Sequence, residues 1–126
     1  MTMGSAKIMG FVPTRDMKRA KTFYGDVLGL RCVSEDGFAL TVDANGIQVR
    51  VTKVDDLRPQ PFTILGWEVR DVRATVKELA AKGVSFERYG MPGQDEDGTW
   101  ASPSGARIAW FKDPDGNVLS VAEFPK

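Results

Sequence analysis

The sequence runs twice through one order of elements, and this repeat constrains the fold more than any other feature. In the first half, the apolar stretch 8–12 predicts a strand. Asp16 then predicts the start of a helix, because its carboxylate can accept hydrogen bonds from the free amides of the first turn. Gly29 marks the expected helix end, and strands are predicted at 31–34, 38–42 and 47–53 between turn-forming residues. The helix is expected to bury an apolar stripe of Met17, Ala20, Phe23, Val27 and Leu28.

The second half follows the same order. A strand is predicted at 62–69, Asp71 is the expected helix cap, and Gly83 ends the helix that follows. Three further strands are predicted at 84–88, 107–111 and 118–123. The two capping aspartates lie 55 residues apart, whereas the late turn glycines Gly46 and Gly116 lie 70 apart. The second copy therefore carries about fifteen extra residues, which fall between Glu87 and Arg107.

These boundaries predict one domain spanning residues 1–126. The first module covers about 7–54, a linker covers about 55–61, and the second module covers about 62–124. A chain of this length is sufficient to bury a core.

The composition excludes several classes of function. The chain has no histidine, so Ser-His-Asp and Cys-His catalysis are impossible. Seventeen Lys and Arg balance seventeen Asp and Glu, so no positive field favours a nucleic-acid partner. No apolar stretch is long enough to span a membrane. The single Cys32 cannot form an internal disulfide, and a cytoplasmic location is the simplest expectation.

Two motifs resemble a known family. Residues 23–30 read FYGDVLGL and resemble the FYxxVLGL signature of the vicinal oxygen chelate superfamily, which includes glyoxalases, bleomycin resistance proteins and dioxygenases. Residues 111–117 read FKDPDGN and resemble its closing turn. The resemblance implies an α+β fold in which two tandem βαβββ modules form a curved, cup-shaped mixed sheet. It also implies a homodimer, since a second subunit often completes the cup.

The resemblance further implies four positions at which metal-dependent relatives carry ligands. Counting from the helix caps and late turn glycines, these positions hold Met9, Arg50, Ile64 and Ser120. A thioether, a guanidinium, an aliphatic side chain and a hydroxyl do not form a site for a divalent ion, which requires imidazole, carboxylate or thiolate ligands. No metal and no cofactor are therefore expected.

The concave side of the implied cup is expected to be apolar with isolated polar points. Strand alternation places Met9, Phe11, Gln48 and Arg50 there from the first module. From the second module it places Ile64, Gly66, Glu68 and Ser120 there. Trp67 alternates with this set and is expected beneath a helix, while the face of Trp110 is left open.

Two charged residues of this set have alternative roles. Arg50 could pair with Glu68 or hold a ligand carboxylate or phosphate. Glu68 is the candidate general base, provided that burial desolvates its carboxylate. Trp100 lies in the extra loop beside the acidic residues 95–97, where it could stack on a flat ligand while the carboxylates attract a cationic one. The alternative is that the acidic run is a solvated loop tip.

The leading functional hypothesis is a metal-independent protein that holds a small organic molecule in the cup, for sequestration or antibiotic resistance. Its ligand-binding candidates are Met9, Phe11, Gln48, Arg50, Ile64, Glu68, Trp100 and Ser120. The alternative is an enzyme of the same superfamily, a lyase, isomerase or dioxygenase with displaced metal ligands or with Glu68 as base. A third reading is an interaction module whose dimerisation is its role.

Overall fold

A computed structural model of the chain describes residues 2–125. The termini of the predicted domain, residues 1 and 126, therefore lie outside the described residues. The chain divides into two compact units, the first ending at Arg58 and the second beginning at Pro59. This boundary lies within the predicted linker. Each unit contains a four-stranded mixed sheet and one principal helix, so the predicted pair of tandem modules with a glyoxalase-like fold is confirmed.

The first unit contains the strands that the sequence predicts, with boundaries that shift by at most two residues, and its helix begins after Asp16 as predicted. A short 3-10 turn at Met3–Ser5 precedes them. The strands and helix are β1 (Met9–Thr14), α1 (Met17–Lys21), β2 (Arg31–Glu35), β3 (Ala39–Ala44) and β4 (Ile47–Lys53).

The helix of the first unit changes its geometry after α1. The Asp16 carboxylate caps α1 as predicted, accepting from the Arg19 amide at 3.2 Å. A π-helical segment at Thr22–Val27 follows, and its wider turn rotates the later side chains relative to an α-helical stripe. Tyr24, only 1% exposed, occupies the core position, whereas Phe23 and Val27 are half-buried. The expected apolar stripe is therefore wrong beyond Ala20.

The first sheet has the order β1-β4-β3-β2, with β1 parallel to β4 and the other pairs antiparallel. α1 packs on β3 and β4. One face of the sheet forms the core with the helix, since its residues alternate with exposed ones along β1 and β4. The buried residues of this face and the helix are Val12, Thr14, Ala20, Tyr24, Leu40, Val42, Val49 and Val51.

The second unit differs from the prediction in one strand. Its elements are β5 (Thr63–Glu68), α2 (Val72–Ala81), β6 (Trp100–Ala101), β7 (Arg107–Lys112) and β8 (Val118–Glu123). The predicted strand at 84–88 is wrong, because this stretch makes only a single bridge, between Phe86 and Phe111. The place beside β7 is instead shared between Phe86 and the two-residue strand β6, which belongs to the extra loop.

The second sheet has the order β5-β8-β7-β6, with β5 parallel to β8. α2 packs on β7 and β8, and its Val72 amide donates to the Glu123 carboxylate at 2.9 Å. Asp71 caps α2 as predicted, accepting from the Ala74 amide at 3.1 Å. The helix-covered face contains Trp67, Ala109, Phe111, Leu119 and Val121. The expected side for Trp67 is therefore confirmed.

The turn between β7 and β8 is held by a buried aspartate. Asp113, 5% exposed, accepts from the Asp115 amide at 3.0 Å and from the Asn117 amide at 2.9 Å through Oδ1. Its Oδ2 accepts from the Asn117 side-chain amide at 2.8 Å. Gly116 has a φ of 91°, which favours glycine, and an added Cβ would lie 3.2 Å from the Pro59 ring. The second signature is thus a structural turn.

No helix among the described residues is long and apolar enough to cross a membrane.

Replacing Asp113 with alanine is expected to lower the free energy of unfolding by about 3 kcal/mol, because buried amides of the turn lose their acceptor. Asp55→Ala, which removes an exposed carboxylate from the linker, is the matched control and is expected to stay within about 0.5 kcal/mol of the parent. Chemical denaturation monitored by circular dichroism measures both changes. Equal unfolding midpoints for the two variants would contradict the structural role given to the turn.

Candidate functional site

The face of the first sheet opposite α1, here called its helix-free face, carries the predicted polar points. Arg50 on β4 lies between Phe11 on β1 and Thr41 on β3, and Gln48 lies beside Met9. Phe11 is 63% exposed and Arg50 is half-buried. The four predicted residues of this module therefore do share one face of one sheet.

Arg50 has a charged neighbour within its own unit. Asp36 lies in the turn before β3 and accepts from the Phe38 and Ala39 amides at 2.8 and 2.9 Å. These two hydrogen bonds lower the pKa of Asp36, and the positive charge of Arg50 lowers it further. The predicted pairing of Arg50 with Glu68 joins residues of different units and stays a prediction.

The helix-free face of the second sheet has a flat floor. The floor consists of Gly66 on β5 and Ser120 on β8, and Trp110 on β7 continues their row at its side. This register assigns Trp110, whose face the sequence left open, to the helix-free face. A Cβ added to Gly66 would lie 2.9 Å from Ser120 Oγ and 3.3 Å from the Ser120 carbonyl oxygen. The Ser120 side chain therefore occupies the space beside Gly66, and only glycine fits at this position.

Three aromatic residues stand beside this floor, and we call them the aromatic wall: Tyr89, Trp100 and Trp110. The Trp110 ring lies 5.5 Å from the Tyr89 ring in an edge-to-face arrangement and 6.0 Å from the tilted Trp100 ring. Tyr89 is 48% exposed, while the two indoles are half-buried. Burial raises the pKa of Tyr89, and the nearby charge of Glu87 raises it further.

Only one member of this wall is predicted from the sequence. Trp100 was predicted from its place in the extra loop. Trp110 could have been found from pairing in the β7–β8 hairpin, since it lies directly opposite Ser120. Tyr89 carries no local signal, because its position depends on how residues 88–99 fold back.

Gln94 holds residues 88–99 in this folded-back arrangement. Its side-chain oxygen accepts from the Tyr89 amide at 2.9 Å, and its side-chain nitrogen donates to the carbonyls of Glu87 and Gly98 at 3.0 Å each. Trp100 makes a further hydrogen bond within the loop, in which its indole nitrogen donates to the Pro92 carbonyl at 3.1 Å. The wall is therefore held by specific hydrogen bonds within the loop.

The acidic run 95–97 is neither a free loop tip nor an open cation site. Arg73 on α2 donates to Asp95 and to Asp97, the latter at 3.0 Å, and Arg107 lies 3.7 Å from Asp95. The Thr99 hydroxyl donates to Asp97 at 2.8 Å and lies 3.3 Å from Asp95, and Thr99 is fully buried. These arginines of the same unit offset the charge of the two carboxylates, and the expected attraction of a cationic ligand stays a prediction.

The contacts with Arg73 lower the pKa values of both carboxyls. The hydrogen bond from Arg73 holds the pKa of Asp95 below its usual range. Burial acts to raise the pKa of Asp97, but the hydrogen bonds from Thr99 and the charge of Arg73 together outweigh it and lower the pKa. The hydrogen bond with Asp95 correspondingly raises the pKa of Arg73.

The last-strand positions matched to metal ligands are paired in the same way in both units. In the first sheet, Arg50 lies opposite Phe11, two residues after Met9. In the second sheet, Ser120 lies opposite Gly66, two residues after Ile64. This shared offset supports the counting by which the positions were found.

The residues at these positions do not suit a metal. Arg50 would repel a cation, Ile64 has no donor atom, and the thioether of Met9 is a poor ligand for a hard divalent ion. Ile64 is also the extra residue of a β-bulge, so alternation does not assign its side chain to a face. Among residues 2–125, no group of three or more Cys, Asp or Glu lies close enough together to hold a metal ion.

Glu68 lies on the helix-free face of the second sheet, in the row that also contains Ala122, Ile108 and Trp100. Glu68 is exposed in the described chain, so the burial on which its role as a base was predicted would have to come from a bound ligand. Glu123, the other carboxylate near a ligand position, is engaged by the first amide of α2.

The sequence profile of the Glyoxalase/Bleomycin resistance protein/Dioxygenase superfamily matches residues 6–121. No curated protein matches the chain significantly.

Many solved structures share the fold. One is a lactoylglutathione lyase from Agrobacterium tumefaciens, with a TM-score of 0.74 and 20% identity over 97% of this chain and 96% of that one. A superfamily member from Sphaerobacter thermophilus has a TM-score of 0.71 and 25% identity over 94% and 97%. A glyoxalase/bleomycin resistance protein/dioxygenase from Alicyclobacillus acidocaldarius has a TM-score of 0.69 and 19% identity over 100% and 96%.

Carbon-detected NMR titration of the side-chain carboxyls is expected to give Asp95 a midpoint below the ordinary aspartate value of about 3.9. In Arg73→Ala the midpoint should rise, because the charged form loses its main partner. A carboxyl with a lowered folded pKa contributes stability that is present above its unfolded pKa and is lost as the pH falls through the folded value. An Asp95 midpoint that does not respond to Arg73→Ala would contradict the assigned contact.

Proposed function

We propose that this chain, which belongs to the Glyoxalase/Bleomycin resistance protein/Dioxygenase superfamily, binds a small organic molecule without a metal ion. The observation that carries the proposal is the aromatic wall of Tyr89, Trp100 and Trp110 beside the flat floor at Gly66. Ligand sites typically combine such apolar surface with a few polar groups that orient the ligand.

The chemistry of the second sheet favours a ligand with a flat, partly apolar body. Indole and phenol rings offer large, rigid surfaces for stacking, and the floor beside them carries only the small Ser120 side chain next to Gly66. Ser120 provides a hydroxyl on the same floor, and Glu68 provides an exposed carboxylate two residues along β5. The carboxylate and the π-faces would both favour a ligand with a positive charge.

The first sheet offers a second, chemically distinct surface. Phe11 and Arg50 lie opposite each other in register on its helix-free face, with Met9 and Gln48 one row away. A guanidinium beside an aromatic ring can hold a carboxylate or phosphate by two parallel hydrogen bonds. We propose that this surface recognises an anionic group, and that the protein sequesters its ligand rather than transforming it, as in resistance.

A homodimer in the cytoplasm is part of the same proposal. β1 is the end strand of the first sheet, in which it pairs with β4. Ile8 beside it is 71% exposed, and Phe11 on it is largely exposed. An apolar edge strand of this kind favours pairing with a second copy.

Replacing Trp100 or Trp110 with alanine is expected to weaken ligand binding by about tenfold or more, because stacking surface is lost. Trp67→Phe changes an aromatic residue on the helix-covered face and is the matched control, with affinity expected to stay within about threefold. Calorimetric titration against planar aromatic compounds, including planar cationic antibiotics, measures the affinities in buffer with a chelator.

Equal affinities for Trp100→Ala and Trp67→Phe would place the ligand away from the aromatic wall. Binding that appears only after a divalent metal is added would contradict the metal-independent part of the proposal.

A second candidate function is an enzyme that uses Glu68 as base. It is favoured by the position of Glu68, which shares the helix-free face with Ser120 and the aromatic wall. The expected reaction class is removal of a proton next to a carbonyl. If such turnover is found, Glu68→Gln is expected to lower kcat by about a hundredfold or more. Glu78→Gln, on the exposed side of α2, is the control, and equal kcat values for both variants would exclude Glu68.

A further inference from the structure

We propose that Arg73, on the helix-covered side of the second sheet, is the positioning residue that sets the aromatic wall on the opposite side. It acts through what we call the clasp, formed by Arg73, Asp95, Asp97 and Thr99. The placement of Trp100 by the clasp is a property of the free protein. Only its consequence for a ligand rests on the proposed function.

The clasp joins the loop to the helix at one point. Arg73 is a side chain of α2, and its two terminal nitrogens reach different carboxylates, one of Asp95 and one of Asp97. The two carboxylates repel each other, since the charge of Asp97 acts to raise the pKa of Asp95. A guanidinium between them both removes this repulsion and sets their spacing, because its fork is rigid and planar.

The two carboxylates in turn hold Thr99 in place. Its hydroxyl donates to Asp97 at 2.8 Å and lies 3.3 Å from Asp95 Oδ2. Its amide donates to the Asp97 carboxylate at 3.0 Å, and its carbonyl accepts from the Asp95 amide at 2.7 Å. Since Thr99 is fully buried, both backbone groups and the side chain are held at once.

Trp100 follows Thr99 directly, so alternation along the chain determines its direction. Thr99 is tied to the helix-covered side, and Trp100 pairs with Ile108 at the start of β6, which places its ring on the helix-free side. There the ring contacts Trp110, and its nitrogen reaches the Pro92 carbonyl. A one-residue slip would exchange the two side chains between the faces.

Arg107 does not substitute for Arg73 in this arrangement. It lies 3.7 Å from Asp95, beyond a hydrogen bond, and makes no ion pair with Asp97 in the described chain. β6 itself is only two residues long, so it offers few backbone hydrogen bonds to β7. Gln94 and the Pro92 carbonyl hold the loop from within, and the clasp adds the contact that ties Thr99, and with it Trp100, to α2.

The test uses the ligand-free protein with Trp67 replaced by phenylalanine, so that the two remaining indoles both belong to the wall. Acrylamide quenching of tryptophan fluorescence and near-ultraviolet circular dichroism are measured for four variants in this background. Arg73→Ala removes the clasp cation, and Arg73→Lys retains the charge without the fork. Thr99→Val removes the hydroxyl at nearly constant shape, and Lys77→Ala removes a cation from α2 that lies outside the clasp.

Arg73→Ala is expected to raise the quenching constant by about twofold or more and to weaken the near-ultraviolet signal, because the loop opens locally. Thr99→Val should act in the same direction, Arg73→Lys should restore part of the signal, and Lys77→Ala should match the background protein. In the background protein, about 1 M salt should move both signals toward those of Arg73→Ala, because it screens exposed ion pairs.

Unchanged quenching and dichroism in Arg73→Ala, with normal unfolding, would overturn the inference while leaving the proposed function intact. An Arg73→Ala chain that does not fold leaves Thr99→Val and the salt titration to decide, and no response in either would also overturn it. A loosened wall in Arg73→Ala, combined with ligand affinity that is unaffected by Trp100→Ala, would support the clasp and reject the proposed function.

Discussion

The parallel pairing of the first and last strands in each unit is the constraint on which the rest of the structure depends. It places Arg50 opposite Phe11 and Ser120 opposite Gly66, and so decides which side chains share a helix-free face. Because side chains alternate along a strand, a shift of one residue would exchange the core for this face. The helix caps and the Asp113 turn support the pairing by fixing where each strand begins.

The two units use this shared framework differently. The first presents a cationic group beside an exposed ring, whereas the second presents a flat floor beside three aromatic rings. The difference comes from the extra loop, which supplies Tyr89 and Trp100 and has no counterpart in the first unit. An insertion at one edge of a sheet can thus change the binding surface while the repeated framework remains the same.

Much of the fold could be predicted because its signals are local. A capping aspartate, a glycine after a helix and an apolar alternation each act within a few residues, and they placed seven of the eight strands near their observed positions. The prediction of a strand at 84–88 was wrong. The apolar residues of this stretch have β propensity, but only Phe86 forms a bridge to β7, opposite Phe111. The insertion supplies the rest of that edge through long-range contacts that leave no periodic pattern.

The site was predicted less completely for the same reason. Met9, Phe11, Gln48 and Arg50 share a face because alternation alone determines it. Tyr89 depends on three hydrogen bonds of Gln94, and the acidic run depends on Arg73 more than twenty residues away. An isolated exposed ion pair contributes only about 0–1 kcal/mol, so the role of Arg73 rests on coupling to the buried Thr99 rather than on charge alone.

We propose that the positions matched to metal ligands do not hold a metal, and that the sheet faces bind the ligand instead. The most direct test is metal content by mass spectrometry, on protein purified without a histidine tag or chelator and then incubated with nickel, zinc, manganese or iron. The account predicts no stoichiometric metal after desalting, because Met9, Arg50, Ile64 and Ser120 lack suitable donors. One tightly held transition metal per chain would contradict it and would favour the chemistry of the metal-dependent relatives.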